Sequence, residues 1–348
     1  MEIKHNEAAD LICAVFRLAN RGNLRERKKD LGLEGLPQVE EWVEELENTL
    51  NPFLLSDVDL LVRKLSITSW NMVKLTRTPQ PCMTSGDFLK RLSALNVEEY
   101  LSYVREMLSL SDEEPASQEK IIYALSETTS DTMVNPEEES EMILSMLKSP
   151  GAFLERIKNM YREFHEGPFK ESQKRFRKLL EEKMEWHNNA LKTDSTSYLD
   201  EITRQIYSTF FKKGPEPELF LSVYYDFDLY ISTHNNMIVI GAGTDEIIKS
   251  KSNRTKTDVL FNILGDKKRL ELLHLTSQRP WYSSELAEHF GITPATMSYH
   301  LNKMVSAGFV KLQHGDQKRY YYSINKDSLR DYLKAAALDL LGAEDSNE

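Results

Sequence analysis

The sequence predicts a mainly α protein with a small β component, divided into two domains. Three observations carry this expectation. Up to about residue 214 the apolar residues recur at helical spacing; between 219 and 241 they alternate or run together as they do in strands. After residue 253, short helix-period groups lead into two alternating runs joined at a glycine. The expected domains are residues 1–245, helical and ending in a β-hairpin near 219–241, and residues 253–342, a compact module of helices and a second hairpin.

Each element has a local reason. ADLICAVFRLAN (9–20) places Leu11, Val15 and Leu18 on one stripe, widened by Ile12, Phe16 and Ala19, which predicts a helix packed into a core. VEEWVEELENTL (39–50) and DFLKRLSALNVEEYLSYVREML (87–108) keep the same period, the second with a break near Asn96. SLSDEEPASQEK and SETTSDTMVNPEEESE are acidic, rich in Ser and Thr and poor in apolar residues, so they predict exposed loops around a short helix at IIYALS. Pro136 with three following glutamates predicts a helix start, because negative charge in a first turn meets the positive end of the helix dipole. Helical period continues through SEMILSMLKS, GAFLERIKNMYREFHE and residues 169–192. Trp42, Phe88, Tyr100, Tyr103, Phe164, Phe176 and Trp186 fall at helical spacing and are expected in the core. After KKGPEPE the pattern changes to period two: LFLSVYYDFDLYIS (219–232) sets Phe227, Leu229 and Ile231 against Tyr224, Asp226, Asp228 and Tyr230. MIVIGAG follows the turn residues His234, Asn235 and Asn236.

Composition narrows the function classes. Two cysteines, Cys13 and Cys82, lie far apart in a 348-residue chain, which argues against a disulfide framework and against a thiolate metal site, and predicts a reducing, cytoplasmic setting. The N-terminus MEIKHNEAAD lacks the apolar core of a signal peptide, and no apolar run approaches the ~18–20 residues of a membrane span. Net charge is −11, unevenly spread. Residues 253–341 carry 13 Lys and Arg against 9 Asp and Glu, a net +4, which leaves −15 for the rest. A cationic tail on an anionic chain is the footprint expected of a nucleic-acid module.

The tail has the order such a module needs. TDVLFNILGDKKRLELLHLT (257–276) predicts two helices joined at Gly265 and Asp266. SSELAEHFG (283–291) predicts a short helix started by Ser283 and stopped by Gly291, which can take a left-handed cap. In TPATMSYHLNKMVSAGFV (293–310), Thr293 is a good N-cap and Pro294 suits the first helical position. Met297, Leu301 and Met304 face the core at i, i+4 and i+7, leaving Ala295, Thr296, Ser298, Tyr299, Asn302 and Lys303 to point elsewhere; Gly308 ends the helix. Helix, tight turn and second helix form the helix-turn-helix pattern. FVKLQHGDQKRYYYSI (309–324) then predicts a hairpin wing with Gly315 and Asp316 at its tip and Lys318, Arg319 and Tyr320 beside it. A last helix (326–342) carries an apolar stripe of Leu329, Leu333, Ala337, Leu338 and Leu341 in need of a partner.

Residues 250–342 together resemble the winged-helix domain of the ArsR family of bacterial transcriptional repressors. The resemblance implies a homodimer formed by the first and last helices of the module, reading a pseudo-palindromic operator in double-stranded DNA. It further implies that Thr296, Ser298 and Tyr299 face base edges or phosphates, with Ala295 near a thymine methyl group, and that Lys303, Lys318 and Arg319 hold phosphates, alongside Asn302 and Tyr320. His300, in the S-x-H-L pattern, is expected to be a packed structural residue. The chain departs from metal-sensing relatives, which place paired cysteines in the helix before the turn; PWYSSELAEHF has no thiol, so a thiolate sensor is not expected. His289 and His314 are isolated and expected on the surface.

The first 240 residues offer no chemistry of comparable clarity. Tyr224, Asp226, Asp228, Tyr230 and His234 form the densest polar cluster and are expected on a solvent-facing strand rather than in a metal site. His165-Glu166 lacks the second histidine of a zinc helix, and GAGTDE at 241 is too short for a dinucleotide fingerprint. No Gly-rich phosphate loop or G-x-S-x-G elbow occurs. No enzyme activity, cofactor, catalytic residue or metal ligand is therefore expected. The expected function is a DNA-binding transcription regulator whose first domain takes a small-molecule effector or enlarges the dimer; the alternative is an enzyme or protein-interaction domain using the winged helix as a docking element.

Overall fold

The structure, a computed structural model, describes residues 1–31, 34–77, 80–110, 116–128, 136–203, 207–208, 211, 214–232, 235–246, 248, 256–314 and 320–341. The chain divides into two compact units. The first takes in Met1–Thr128, Thr132–Ser195 and Pro215–Ile247; the second takes in Thr196–Gly214 and Ile248–Glu348. The stretch 196–214, expected in the first domain, thus groups with the C-terminal module. Its helical part buries Tyr198, Leu199 and Ile202, and burial, followed by the charge of Glu201, raises the Tyr332 phenol of the last helix.

In the first unit β1 (Ile3–Lys4) leads into α1 (Glu7–Ala19), which Asn6 caps by accepting the Ala9 N–H at 2.9 Å. Then come α2 (Arg21–Leu31), α3 (Pro37–Thr49), α4 (Pro52–Val58) running on through a π turn at Asp59–Arg63, and α5 (Ile67–Arg77). The expected break at Asn96 separates α6 (Ser85–Ala94) from α7 (Val97–Met107); Asn96 accepts the Glu99 N–H, and Glu99 reaches back to the Asn96 N–H. α8 (Gln118–Thr128), α9 (Pro136–Lys148) and α10 (Pro150–Phe164) follow. A π turn at His165–Phe169, holding Pro168, leads into α11 (Lys170–Thr193), and α12 (Ser195–Thr203) begins the crossing to the second unit. Trp42, Phe164, Phe176 and Tyr224 form one aromatic knot with Trp42 centroid distances of 5.3–6.4 Å.

The sheet differs from the hairpin expected at 219–241. It has four strands in the order β1-β2-β4-β3, with β2 (Glu218–Ser222), β3 (Leu229–Ser232) and β4 (Met237–Gly241). β2 pairs parallel with both β1 and β4, and only β3 and β4 form a hairpin. The alternating stretch is not one strand because it turns at residues 223–227, where Asp226 takes φ +52° and accepts the Gly243 N–H on its carbonyl at 2.7 Å. Only glycine fits opposite: a Cβ on Gly241 would lie 2.2 Å from that carbonyl oxygen.

The same turn overturns the solvent-facing reading of its polar residues. Tyr224 and Asp226 are each 1% exposed. Asp226 Oδ1 accepts the Leu36 N–H at 2.9 Å, and Oδ2 lies 2.5 Å from Lys28 Nζ. Lys28 also meets Glu40 at 3.1 Å, and Glu40 pairs with Arg17 and Arg25, each at 2.5 Å. Burial alone would raise the Glu40 carboxyl, but these cations outweigh it and bring it down to about 2. The period-two pattern marked extension only at the two ends of the stretch, in β2 and β3; what it lacked was the cation, 198 positions earlier, that receives Asp226 in the turn between them. His234 of that cluster lies outside the described residues. Among those described, no group of three or more His, Cys, Asp and Glu could hold a metal ion, and no helix is long and apolar enough to cross a membrane.

The second unit continues with α13 (Lys256–Leu264) and α14 (Lys267–Gln278), separated as expected at Gly265-Asp266, then α15 (Ser283–Phe290), α16 (Pro294–Ser306), the β5 (Val310–His314) and β6 (Tyr320–Ile324) hairpin, and α17 (Lys326–Leu341). Its core gathers Leu260, Leu272, Leu286, Met297, Leu301, Met304, Phe309 and Tyr322.

Candidate nucleic-acid interface

The turn between α15 and α16 is set by three residues. Gly291 takes φ +61°, a left-handed cap that residues with a Cβ rarely adopt, and its N–H satisfies the end of α15. Ile292 is half-buried against the core. Thr293 Oγ1 accepts the Thr296 N–H at 3.2 Å, and Pro294 stands at the first helical position. α15 itself begins at Ser283, with Tyr282 as cap residue; Glu285 accepts the Tyr282 N–H at 2.9 Å.

These fixtures orient α16. Its inner face, Met297, Leu301 and Met304, is fully buried and Val305 nearly so, as the i, i+4, i+7 spacing predicts. On the outer face Thr296 is exposed, Tyr299 is 44% exposed, and Ser298, Asn302 and Lys303 are half-buried. Lys303 Nζ lies 4.5 Å from the Tyr299 ring centroid, so the phenol and the ammonium form one amphipathic unit. Ala295 sits in the first turn of the helix. His300 is 7% exposed with an unpartnered Nδ1; burial lowers its pKa, and the nearby Asp266 offsets this only in part.

The wing is anchored more firmly than its sequence alone indicates. Trp281, in the loop before α15, bridges to Tyr322 of β6 through two backbone hydrogen bonds of 3.0 and 2.8 Å, adding a short third edge to the hairpin. The Trp281 indole donates to Leu275 O at 3.0 Å, and the Arg279 guanidinium lies 3.6 Å above its ring while pairing with Glu285 at 3.2 Å. Tyr282 and Tyr321 share a hydroxyl–hydroxyl hydrogen bond with ring centroids 4.0 Å apart. Arg279, Trp281, Tyr282 and Tyr321 had not been singled out as site residues; the signal was the aromatic pair in RPWYS matching the aromatic run RYYYS. Tyr320 opens β6 in register with His314, whereas Lys318 and Arg319, with the wing tip, lie outside the described residues. The structure therefore brings Thr296, Ser298, Tyr299, Asn302 and Lys303 onto one face.

A helix-turn-helix whose second helix offers an outer face, followed by a hairpin wing, defines the class of winged helix-turn-helix DNA-binding regulators. The Helix-turn-helix domain family matches residues 264–313. The arsenical resistance operon repressor of Staphylococcus aureus is 31% identical over 75 residues, covering 22% of this chain and 71% of that protein. The transcriptional repressor SdpR of Bacillus subtilis (strain 168) is 31% identical over 74 residues, 21% of this chain and 81% of that protein. A probable mercury resistance operon repressor of Streptomyces lividans is 33% identical over 76 residues, 22% of this chain and 60% of that protein. Through this module the chain belongs to the ArsR family of helix-turn-helix regulators, extended by a large N-terminal region. No solved structure matches.

Proposed function

We propose that the protein is a bacterial, non-enzymatic repressor that acts as a homodimer on a pseudo-palindromic operator, with its first unit as the effector-sensing part. The observation that carries this reading is the division of labour on α16: the inner face is committed to the core, and Thr296, Ser298, Tyr299, Asn302 and Lys303 are left to meet a major groove. Ala295 at the helix start, and Lys318, Arg319 and Tyr320 of the wing, complete the proposed contact set. Dimerisation is supported by an apolar groove on α13 and α17, lined by Leu260, Phe261, Leu264, Leu333, Leu340 and Leu341. Phe261 is 57% exposed and Leu341 80%, an arrangement that a second copy would cover. That the relatives carry repressor names supports the sign of regulation.

Titration of the protein into duplex from its own upstream region tests the proposal. Affinity is expected to fall steeply with salt, and the specific site to exceed random duplex by ~10³-fold or more. Equal affinity for both duplexes would overturn it.

A further inference from the structure

α1 is buried almost throughout, yet it carries a polar stripe. Asp10, Cys13 and Arg17 stand three and four positions apart, so they share one face, and they are 3%, 5% and 1% exposed. A helix buried on all sides has little reason to keep an anion and a cation on that face unless both find partners, and here each finds only half. Asp10 Oδ2 meets His5 at 2.8 Å, but its Oδ1 has no partner. Arg17 Nη2 meets Glu40, but Nε and Nη1 have none. Unpaired N–H groups on a buried guanidinium are among the costliest defects a core can hold.

The stripe faces the turn that leaves β2. Ser222, the last residue of that strand, sets its hydroxyl beside the Cys13 thiol, and the Phe16 and Tyr225 rings lie 5.4 Å apart. Asp226 is tied through Lys28 and Glu40 to Arg17. The turn thus runs alongside α1 from Cys13 to Arg17. Tyr161 Oη, from α10, is also buried and unpartnered, and the buried Ser222 Oγ has no hydrogen-bond partner beyond the neighbouring Cys13 thiol. Burial first, and then the neighbouring Asp10 and Cys13 respectively, raise the Cys13 thiol and the Tyr161 phenol, which places all four groups in one electrostatic neighbourhood. By contrast the Tyr224 hydroxyl beside them is satisfied by Ser172 at 2.7 Å. Ser222 stands at the carboxyl end of β2, whose parallel neighbour β4 ends at Gly241.

We propose that this stripe is the effector site of the first unit and takes a small zwitterion of dipeptide size. Its ammonium would sit on Asp10 and its carboxylate on Arg17, with the Ser222 and Tyr161 hydroxyls between. The size follows from spacing: seven residues of helix separate the two charges by about 10 Å at the backbone, longer than a single α-amino acid spans. The inference deepens the sensing role given to the first unit and rests on it.

The test uses the full chain without DNA, with glycylglycine and δ-aminovalerate at millimolar concentration as probes, read by thermal midpoint and by calorimetric titration. At least one probe is expected to bind and raise the midpoint by ligand linkage. Tyr161→Phe removes only an unpaired oxygen, and Ser222→Ala one held by no more than the weak contact with the Cys13 thiol. They are expected to fold with an unchanged or higher midpoint in the free state and to weaken the probe about tenfold each. Arg17→Met and Asp10→Asn are expected to abolish binding. No response from the unaltered protein, or a response that survives in Tyr161→Phe and Ser222→Ala, would overturn the site; so would loss of free-state stability in those two variants, which would mean that the oxygens already have partners. Operator affinity, measured separately, keeps the two readings apart: a stripe that binds nothing beside intact operator binding sinks the inference alone, and the converse sinks the proposed function alone.

Discussion

The two units solve opposite problems with the same kinds of residue. In the second, charge stays mostly outside: the core is Leu, Met and Phe, the cation and hydroxyls of α16 face outward, and the buried Arg269 is met by Asp266 within its own helix end. In the first, charge is taken in: Arg17, Lys28 and Asp226 are all buried and depend on one another. Buried ion pairs contribute little net stability against an apolar equivalent but are strongly destabilising when broken, so they make a unit that tolerates little change near them. The difference teaches where each unit is adjustable, at its surface in one and at its interior in the other.

Four measurements would break or sharpen that contrast. The largest effect is expected from Asp226→Ala, which leaves the buried Lys28 with Glu40 alone and the Leu36 N–H without its acceptor, and should cost ~3–5 kcal/mol, read as lost hydrogen-exchange protection in β2 and β4. Asp226→Asn, which keeps the Leu36 hydrogen bond and tolerates the left-handed backbone, should cost less; equal losses would show that charge is not what matters. Next, Leu301→Ala should destabilise the second unit by ~2–5 kcal/mol through a cavity, measured by denaturant unfolding. Thr296→Ala and Tyr299→Ala should leave stability nearly unchanged yet erode discrimination between operator and mismatched duplex by ~1–3 kcal/mol, and Lys303→Ala should lower the salt slope by about one. Preference left intact in all three would place base reading elsewhere.

The smallest effect expected is a separation by acid. The folded His300 pKa is lowered from 6.5, chiefly by burial, so the unfolded chain takes up the proton first. Stability of the second unit is then full above about 6.5 and declines as pH falls below it. Glu40 is also depressed, from 4.5 to about 2, so its contribution is present above 4.5 and is lost as pH falls toward 2. Acidification should loosen the second unit before it touches the ionic network of the first. Amide exchange followed from pH 7 to 3 checks the order, and His300→Gln should remove the upper of the two windows.

The second unit was legible in its sequence because its determinants are local. Thr293, Pro294, Gly291 and the Met297-Leu301-Met304 spacing each act within a turn or two of themselves. The order of its helices and wing followed directly. What escaped was long-range: Trp281 reaching β6, Lys28 reaching Asp226, and β1 pairing with a strand more than 200 positions later. Period and propensity carry no record of such partners. A polar residue on an alternating stretch has the same appearance whether water or a distant lysine receives it.

The path of the chain has a practical consequence. Residues 196–214 join the winged-helix unit from the middle of the sequence, before the last strands of the other unit have been made. A fragment cut to begin at 248 would therefore leave behind Leu199, Ile202 and Tyr207, all buried in the intact protein. The reading head cannot be transplanted onto another sensor by a single splice; a working chimera has to exchange two separate stretches at once.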